Sequence, residues 1–292
     1  MKYTVRDYQE NDIEFLQEND FLHSMEIQYR EDYDPDMIFT ILDDAGEICG
    51  IGDLSYHKTW FDERPGAPRF LKFYICAAVQ DSELYQIAID FAWMLLERKM
   101  QVHRGNPCGL MVTCRMGNLE EMQKYLEAGF SFGETEPVLR YQIQNPGRAN
   151  LPEPYRIEEL QKKKSEIERY IAATAKAKEG VADSKEEYLF HSNDDSFTSY
   201  YITDGQDILA GINVRDMDEN GVTDNLFVLP EYRRKSFGDA LLKKALEYMQ
   251  ERGYDLAMTT LSGLDEEGMQ LYLSFGYELE SFFVQMTKMT VA

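Results

Sequence analysis

At 292 residues the chain exceeds one typical domain, so two domains of about 150 residues, or one large one, form the starting expectation. Its 43% hydrophobic and 13% aromatic content can bury a sizeable core, which points to a globular protein. The net charge of −23, from 53 acidic against 30 basic residues, argues against nucleic acid as a partner and mildly favours cationic ligands, though solubility alone accounts for acidity equally well.

The start, MKYTVRDYQENDIEFLQ, has no apolar signal core, and no window approaches the roughly 18 apolar residues of a membrane span. The expected location is the cytoplasm, with no membrane partner. Cys49, Cys76, Cys108 and Cys114 lack the close pairing of a zinc ribbon and read as reduced core residues. Two alternating apolar runs between Met37 and His57 flank Asp44-Ala45-Gly46 and predict a β-hairpin. Leu71 to Lys99 predicts a strand and then a helix, with no Pro, Arg or Gly at the turn. Asn118 to Glu134 predicts a short amphipathic helix ending at Gly129-Phe130, where Gly suits a left-handed residue. Gln144 to Tyr155 gathers Pro146, Gly147, Pro152 and Pro154, which continue neither a helix nor a central strand, and marks a domain boundary.

Beyond it the same order of signals returns. Gln161 to Arg169 alternates basic and acidic groups at helical spacing, as a solvated helix face does. Ser196 to Met217 predicts a second hairpin, around Asp204-Gly205. Asp216 to Phe227 begins like a calcium loop but has Phe227 where a bidentate Glu belongs, so a turn between strands is the better reading. Thr223 to Leu261 predicts a strand, a basic turn, a helix with apolar Leu241, Leu242, Ala245, Leu246 and Met249, a stop at Gly253 and another strand. Asp265 to Glu280 repeats the short helix, ending at Gly276-Tyr277. The two halves read as copies of one fold.

They differ at the basic turn. A helix start offers unpaired N–H groups and the positive end of a dipole, and here Arg233, Arg234 and Lys235 add charge while Gly238 would admit a bulky anion to the backbone. This predicts a phosphate or pyrophosphate cradle, or else a solvated basic helix start on an acidic surface. No P-loop is present, and the lone GxG at Gly50 and Gly52 sits in a hairpin.

With this order of elements, the second half resembles the GNAT superfamily of acyl-CoA N-acyltransferases. Its V-x-P-x-x-R and Q/R-x-x-G-x-G/A signature stands as Val228-Leu229-Pro230-Glu231-Tyr232-Arg233 and Arg233-Arg234-Lys235-Ser236-Phe237-Gly238. The later Asn, Leu-Tyr and Gly-Phe stand as Asp265, Leu271-Tyr272 and Gly276-Tyr277; the first half retains only Asn118, Tyr125, Gly129 and Phe130. The resemblance implies acetyl-CoA as co-substrate, its pantetheine pairing with a splayed strand edge at Phe227 and Val228. It implies that the N–H groups of Arg233, Arg234, Lys235, Ser236, Phe237, Gly238 and Asp239 hold the pyrophosphate. Ser236 replaces a Gly, so a positive φ there would carry strain. Asp265 replaces an Asn and can still cap its helix, while adding negative charge near the cofactor.

The resemblance also implies that Tyr272 is the general acid for the leaving thiol. A base is harder to name: Asp224 has the side-chain parity of Val228, and Thr223, Asn225 or a water competes with it. Tyr125 reads as a packing residue, and His23, His57, His103 and His191 show no metal spacing. The expectation is an α/β (α+β) chain of two tandem GNAT-like domains, each a mixed, mostly antiparallel sheet flanked by helices with a splayed central strand pair. Residues 1–145 would form a degenerate copy without the pyrophosphate loop, 146–154 a linker and 155–292 the catalytic domain. That domain would acetylate an amine of a small-molecule or peptide acceptor, a cationic one being favoured by the acidic charge, in a monomer or homodimer. The alternative is a non-catalytic acyl-CoA-binding regulator or scaffold.

Overall fold

The computed structural model describes residues 2–29, 33–61, 66–100, 106–144, 146–178, 185–192, 195–217 and 220–290. The chain forms two compact units, one of Met1–Glu134 with Val284–Ala292 and one of Thr135–Phe283.

The first unit runs β1 (Tyr3–Asp7), α1 (Ile13–Asn19), α2 (Phe21–Tyr29), β2 (Ile38–Asp43), β3 (Ile48–Tyr56), β4 (Arg69–Ala77), α3 (Ser82–Met100), β5 (Cys108–Arg115), α4 (Leu119–Glu127) and the start of β6 (Ser131–Gln142). Its strands lie in the order β1-β2-β3-β4-β5, followed by the last residues of β12 (Glu278–Met289). Among its described ladders only β4 and β5 pair in parallel; β1 through β4 pair antiparallel. The hairpin Met37 to His57 is β2–β3, closed by a turn at Gly46 with φ +85°. α3 buries Leu84, Ala88, Ile89, Ala92, Leu95 and Leu96 against Phe39, Ile41 and Phe73. All four cysteines are buried and unpaired here.

The second unit repeats the series: β7 (Arg156–Glu159), α5 (Lys164–Ala177), α6 (Lys185–Ser192), β8 (Thr198–Thr203), β9 (Ile208–Met217), β10 (Asn220–Val228), α7 (Phe237–Glu251), β11 (Leu256–Thr260), α8 (Glu266–Ser274) and β12. The strand order is β6-β11-β10-β9-β8-β7, with only β10 and β11 parallel among its described ladders. α7 forms because its apolar residues recur on one face, and Leu241, Leu242, Ala245, Leu246 and Met249 are buried as that spacing predicts. Gly253, at φ +83°, releases the chain into β11. α5 is not merely a solvated face: Ile167, Tyr170, Thr174 and Ala177 are buried on its inner side. β9 and β10 form the hairpin expected in place of a calcium loop, with Asp218 and Glu219 outside the described residues.

The chain is thus α/β with mixed, mostly antiparallel sheets flanked by helices, and the two units share one order of elements. The boundary differs from a cut through residues 146–154. Val284 and Met286, far past it, are buried in the first unit's core, and Leu139, ahead of it, is buried in the second's. Burial, which is set by where the last strand of each series pairs, overrides the Pro-rich stretch as the dividing line. Among the described residues no helix is long and apolar enough to cross a membrane.

Candidate active site

β10 and β11 pair only over Gly221–Thr223 and Ala257–Thr259. β10 runs on to Val228 while β11 stops at Thr260, so beyond Thr223 that edge of β10 has no ladder partner among the described residues. On its other edge β10 stays paired with β9 through a bulge: Asp224 faces Asn213 and Phe227 faces Gly211. Asn225 takes φ +51° to make the bulge.

The bulge corrects one expectation. One extra residue flips the alternation, so Asp224 shares a face with Phe227 rather than with Val228. Asp224 accepts a hydrogen bond from Arg215 Nε at 2.6 Å, an ion pair about one-third exposed on each side. Phe227 turns its ring inward onto Tyr170, 5.3 Å between centroids, leaving its backbone at the strand edge. Lys178, just past α5, donates to Asn225 Oδ1 at 2.5 Å and so braces the bulge; sequence reasoning missed it because nothing in its own neighbourhood marks a bulge 47 residues away.

At the foot of β10, Pro230–Tyr232 form a single 3-10 turn, and α7 begins at Phe237. Ser236 stands at its N-cap with φ +58°, ψ +23° and no side-chain cap, and Arg234 also has positive φ, +62°. The first amide of the helix to reach a backbone carbonyl is that of Ala240, 3.1 Å from Ser236 O. The amides of Phe237, Gly238 and Asp239 precede it as the unpaired donors that a helix start leaves. Arg233, Arg234 and Lys235 are exposed around this start, Lys235 lying over the Tyr232 ring at 4.6 Å and Arg233 3.7 Å from Glu267. Phe237 is core, stacked on Tyr232 and edge-on to Tyr155. A Cβ at Gly238 would lie 2.9 Å from Leu271, so its smallness also lets α7 and α8 approach.

α8 starts at Asp265, whose Oδ1 accepts from the Gly268 amide at 2.9 Å. The carboxylate that replaces Asn thus still caps the helix. About two turns on, Tyr272 is 1% exposed and its hydroxyl lies 3.0 Å from Thr223 Oγ1, at the point where β10 and β11 part. Thr259 Oγ1 donates to the Thr223 carbonyl at 2.9 Å. Burial pushes the Tyr272 phenol up to about 12, although hydrogen bonds from Thr223 and Thr259 act in the opposite direction. The site therefore brings together a strand edge, an uncapped helix start ringed by cations, and a buried phenol.

The first unit lacks the second of these. At the start of α3 the Asp81 carboxylate accepts from the Glu83 amide at 2.9 Å, from the Tyr3 hydroxyl at 2.8 Å and from Lys2. The Lys2, Glu83 and Tyr3 hydrogen bonds hold this carboxyl down at about 2. The anion position at that helix start is occupied by the protein itself. Tyr125, which matches Tyr272 in order, packs edge-on against Phe73, Tyr85 and Phe130. Of the histidines, His23 is paired with Asp53, His57 is buried beside Thr59, His191 stacks on Phe197, and His103 lies outside the described residues.

Residues 158–277 match the model of the acetyltransferase (GNAT) family. No curated protein matches the chain. Among solved structures, the fold is similar to a GCN5-related N-acetyltransferase from Sphaerobacter thermophilus, with TM-score 0.70 and 13% identity over 99% of this chain and 96% of that one. It is also similar to a tandem GNAT protein from the clavulanic acid biosynthesis pathway, TM-score 0.61 and 13% identity over 87% and 83% of the two chains. A GCN5-related N-acetyltransferase from Kribbella flavida gives TM-score 0.58 and 12% identity over 98% and 70%. At such identities the likeness is one of fold.

Proposed function

We propose, from the premise that residues 158–277 form a domain of the acetyltransferase (GNAT) family, that the second unit transfers an acetyl group from acetyl-CoA directly to an amine. The observation that carries this reading is the contrast between the two helix starts: α7 leaves its amides uncapped beneath Arg233, Arg234 and Lys235, while α3 is closed by Asp81. The residues present fit the co-substrate. The amides of Arg234 to Asp239 and the three cations suit a diphosphate, whereas the Arg233 amide, expected among them, is taken by the Pro230 carbonyl at 3.3 Å; the open edge at Phe227 and Val228 suits an extended amide-bearing arm.

Bound there, acetyl-CoA would supply an acetyl group activated as a thioester. The chain's own part is to hold and move protons. Tyr272 carries a proton at its hydroxyl for the departing sulfur, acting through position rather than acidity. Asp224 can take the amine's proton only by releasing Arg215, which makes a solvent molecule at the bulge the competing base. Asp265 serves through its cap, fixing the helix that carries Tyr272. The acidic surface suits a cationic acceptor, a small molecule or a peptide terminus, by raising its local concentration.

One observation favours a second reading, a non-catalytic acyl-CoA binder: Tyr272 is almost wholly buried and Asp224 is already paired. Calorimetric titration of acetyl-CoA into the wild type and an Arg234→Glu/Lys235→Glu variant tests the cradle. Reversing two charges is expected to weaken binding at least tenfold, and absence of binding to the wild type would overturn both readings. Thiol release with a panel of amines, polyamines included, then separates enzyme from binder. Transfer that falls about 10²–10⁴-fold in Tyr272→Phe is the enzyme outcome.

A further inference from the structure

We infer that Thr223 is a positioning residue for transfer, donating its hydroxyl hydrogen to Tyr272 Oη so that the phenol's own hydrogen points away from β10. The inference rests on the reading of Tyr272 as the acid.

The geometry leaves Thr223 few alternatives. It is wholly buried, and its Oγ1 has two neighbours: Tyr272 Oη at 3.0 Å and the Met258 carbonyl at 3.5 Å. The shorter contact is the hydrogen bond, since geometry at 3.5 Å contributes little. Thr259 is the other hydroxyl that supports the phenol, but its hydrogen is shared with the Thr223 carbonyl at 2.9 Å, which leaves Thr223 the stronger donor to Tyr272. The Thr259 bond to that carbonyl also fixes the Thr223 backbone at the last paired position before β10 and β11 part. A donor placed here matters most after the proton has left. When Tyr272 gives its hydrogen to the departing thiolate, the sulfur gains the proton and the phenol oxygen is left with the charge. The Thr223 hydroxyl then faces an anion, and hydrogen bonds to charged groups are roughly twice as strong as neutral ones. The proton shed by the acylated amine, taken up by the base and passed on, restores the phenol, so the balance closes.

Apart from Thr259, the other groups facing Tyr272 work the other way or are neutral. The Asp224 and Asp265 carboxylates oppose a negative phenol oxygen, and Tyr277 presents a ring edge-to-face at 5.0 Å. Thr223 is the hydroxyl placed to offset them. Sequence spacing could not find it, because Thr223 and Tyr272 are 49 positions apart and meet only through the register of β10 against α8.

The test uses the full chain with 3,5-difluorotyrosine installed at position 272, which brings the phenol's titration into a range the folded protein tolerates. 19F NMR then reads its midpoint in the wild-type background and in Thr223→Val, Thr223→Ala and Thr223→Ser. Expected is a rise of about one pH unit, tenfold in the ionisation constant, in Val and Ala, with Ser restoring the wild-type midpoint. An unchanged midpoint in both Val and Ala overturns the inference without any acceptor being known. In thiol-release assays, Thr223→Val should lower kcat about tenfold with KM for acetyl-CoA unchanged, and Thr223→Ser should rescue it. If Tyr272→Phe abolishes transfer while Thr223→Val keeps the full rate, the inference alone fails. If Tyr272→Phe keeps the full rate, the acid reading fails and takes Thr223's role with it.

Discussion

Tyr277 occupies the place where the GNAT signature that this segment resembles has Phe, and its extra oxygen has no hydrogen-bond partner among the described residues although the residue is buried. Its ring is well used, stacked on Tyr141 at 5.1 Å and edge-on to Tyr272. The hydroxyl therefore costs desolvation and returns nothing. Tyr277→Phe keeps the packing and removes the orphan, so it should stabilise the protein by about 1 kcal/mol, read as a rise of a few degrees in the thermal midpoint. A lower midpoint would mean that the hydroxyl has a partner in solution. This departure was visible in the sequence, as was that at Ser236, where the missing Gly announced strain and the chain does turn through positive φ. What no residue announced is the bulge at Asn225. A bulge is a property of two paired strands, and the parity argument that placed Asp224 beside Val228 failed because it assumed unbroken alternation.

Elements were legible where their periodicity was strong. α7 and the two hairpins stand where the apolar spacing put them, because each buries a single face. α2 was not legible: it exposes Phe21, Leu22 and Tyr29, and beside the packing of Ile27 its attachment to the sheet is polar. His23 on α2 lies 2.6 Å from Asp53 on β3, with the Tyr33 hydroxyl donating to the same carboxylate and the Tyr74 ring 3.9 Å from the imidazole. Burial opposes protonation of His23, but the hydrogen bond and charge of Asp53, with Glu26 and Asp20, outweigh it and raise its pKa. A raised imidazole stabilises the fold fully below its unfolded value of about 6.5, and this contribution is lost as pH climbs through the higher folded value. Hydrogen-exchange protection of the α2 amides, corrected for intrinsic rates, should therefore fall several-fold from pH 6 to pH 9. In His23→Gln the protection should be lower throughout and flat across that window. A wild type with flat protection would show that the pair does not hold α2 in its charged form.

At the scale of the whole chain, duplication was legible and division was not. Both halves carry the same order of elements, and the repeated Gly-aromatic helix ends gave that away. The Pro-rich stretch from Gln144 to Tyr155 then suggested two separable domains, but composition records only where a helix or strand cannot continue. It does not record which core the chain's last strand enters. Val284 and Met286 are buried with Phe39, Leu71 and Leu110 in the first unit, and a Cβ at Gly109 would clash with Lys288 O. A fragment of residues 1–145 would lose both side chains, about 1.5–3 kcal/mol each, together with the backbone partner of β5. That is a large share of the 5–15 kcal/mol by which domains are stable. The fragment should therefore melt without a cooperative transition, whereas co-expression with residues 146–292, which supply the missing strand, should restore one. A sigmoidal melt of fragment 1–145 alone, near the midpoint of the full chain, would return the boundary to the linker and make the last strand dispensable to the first core.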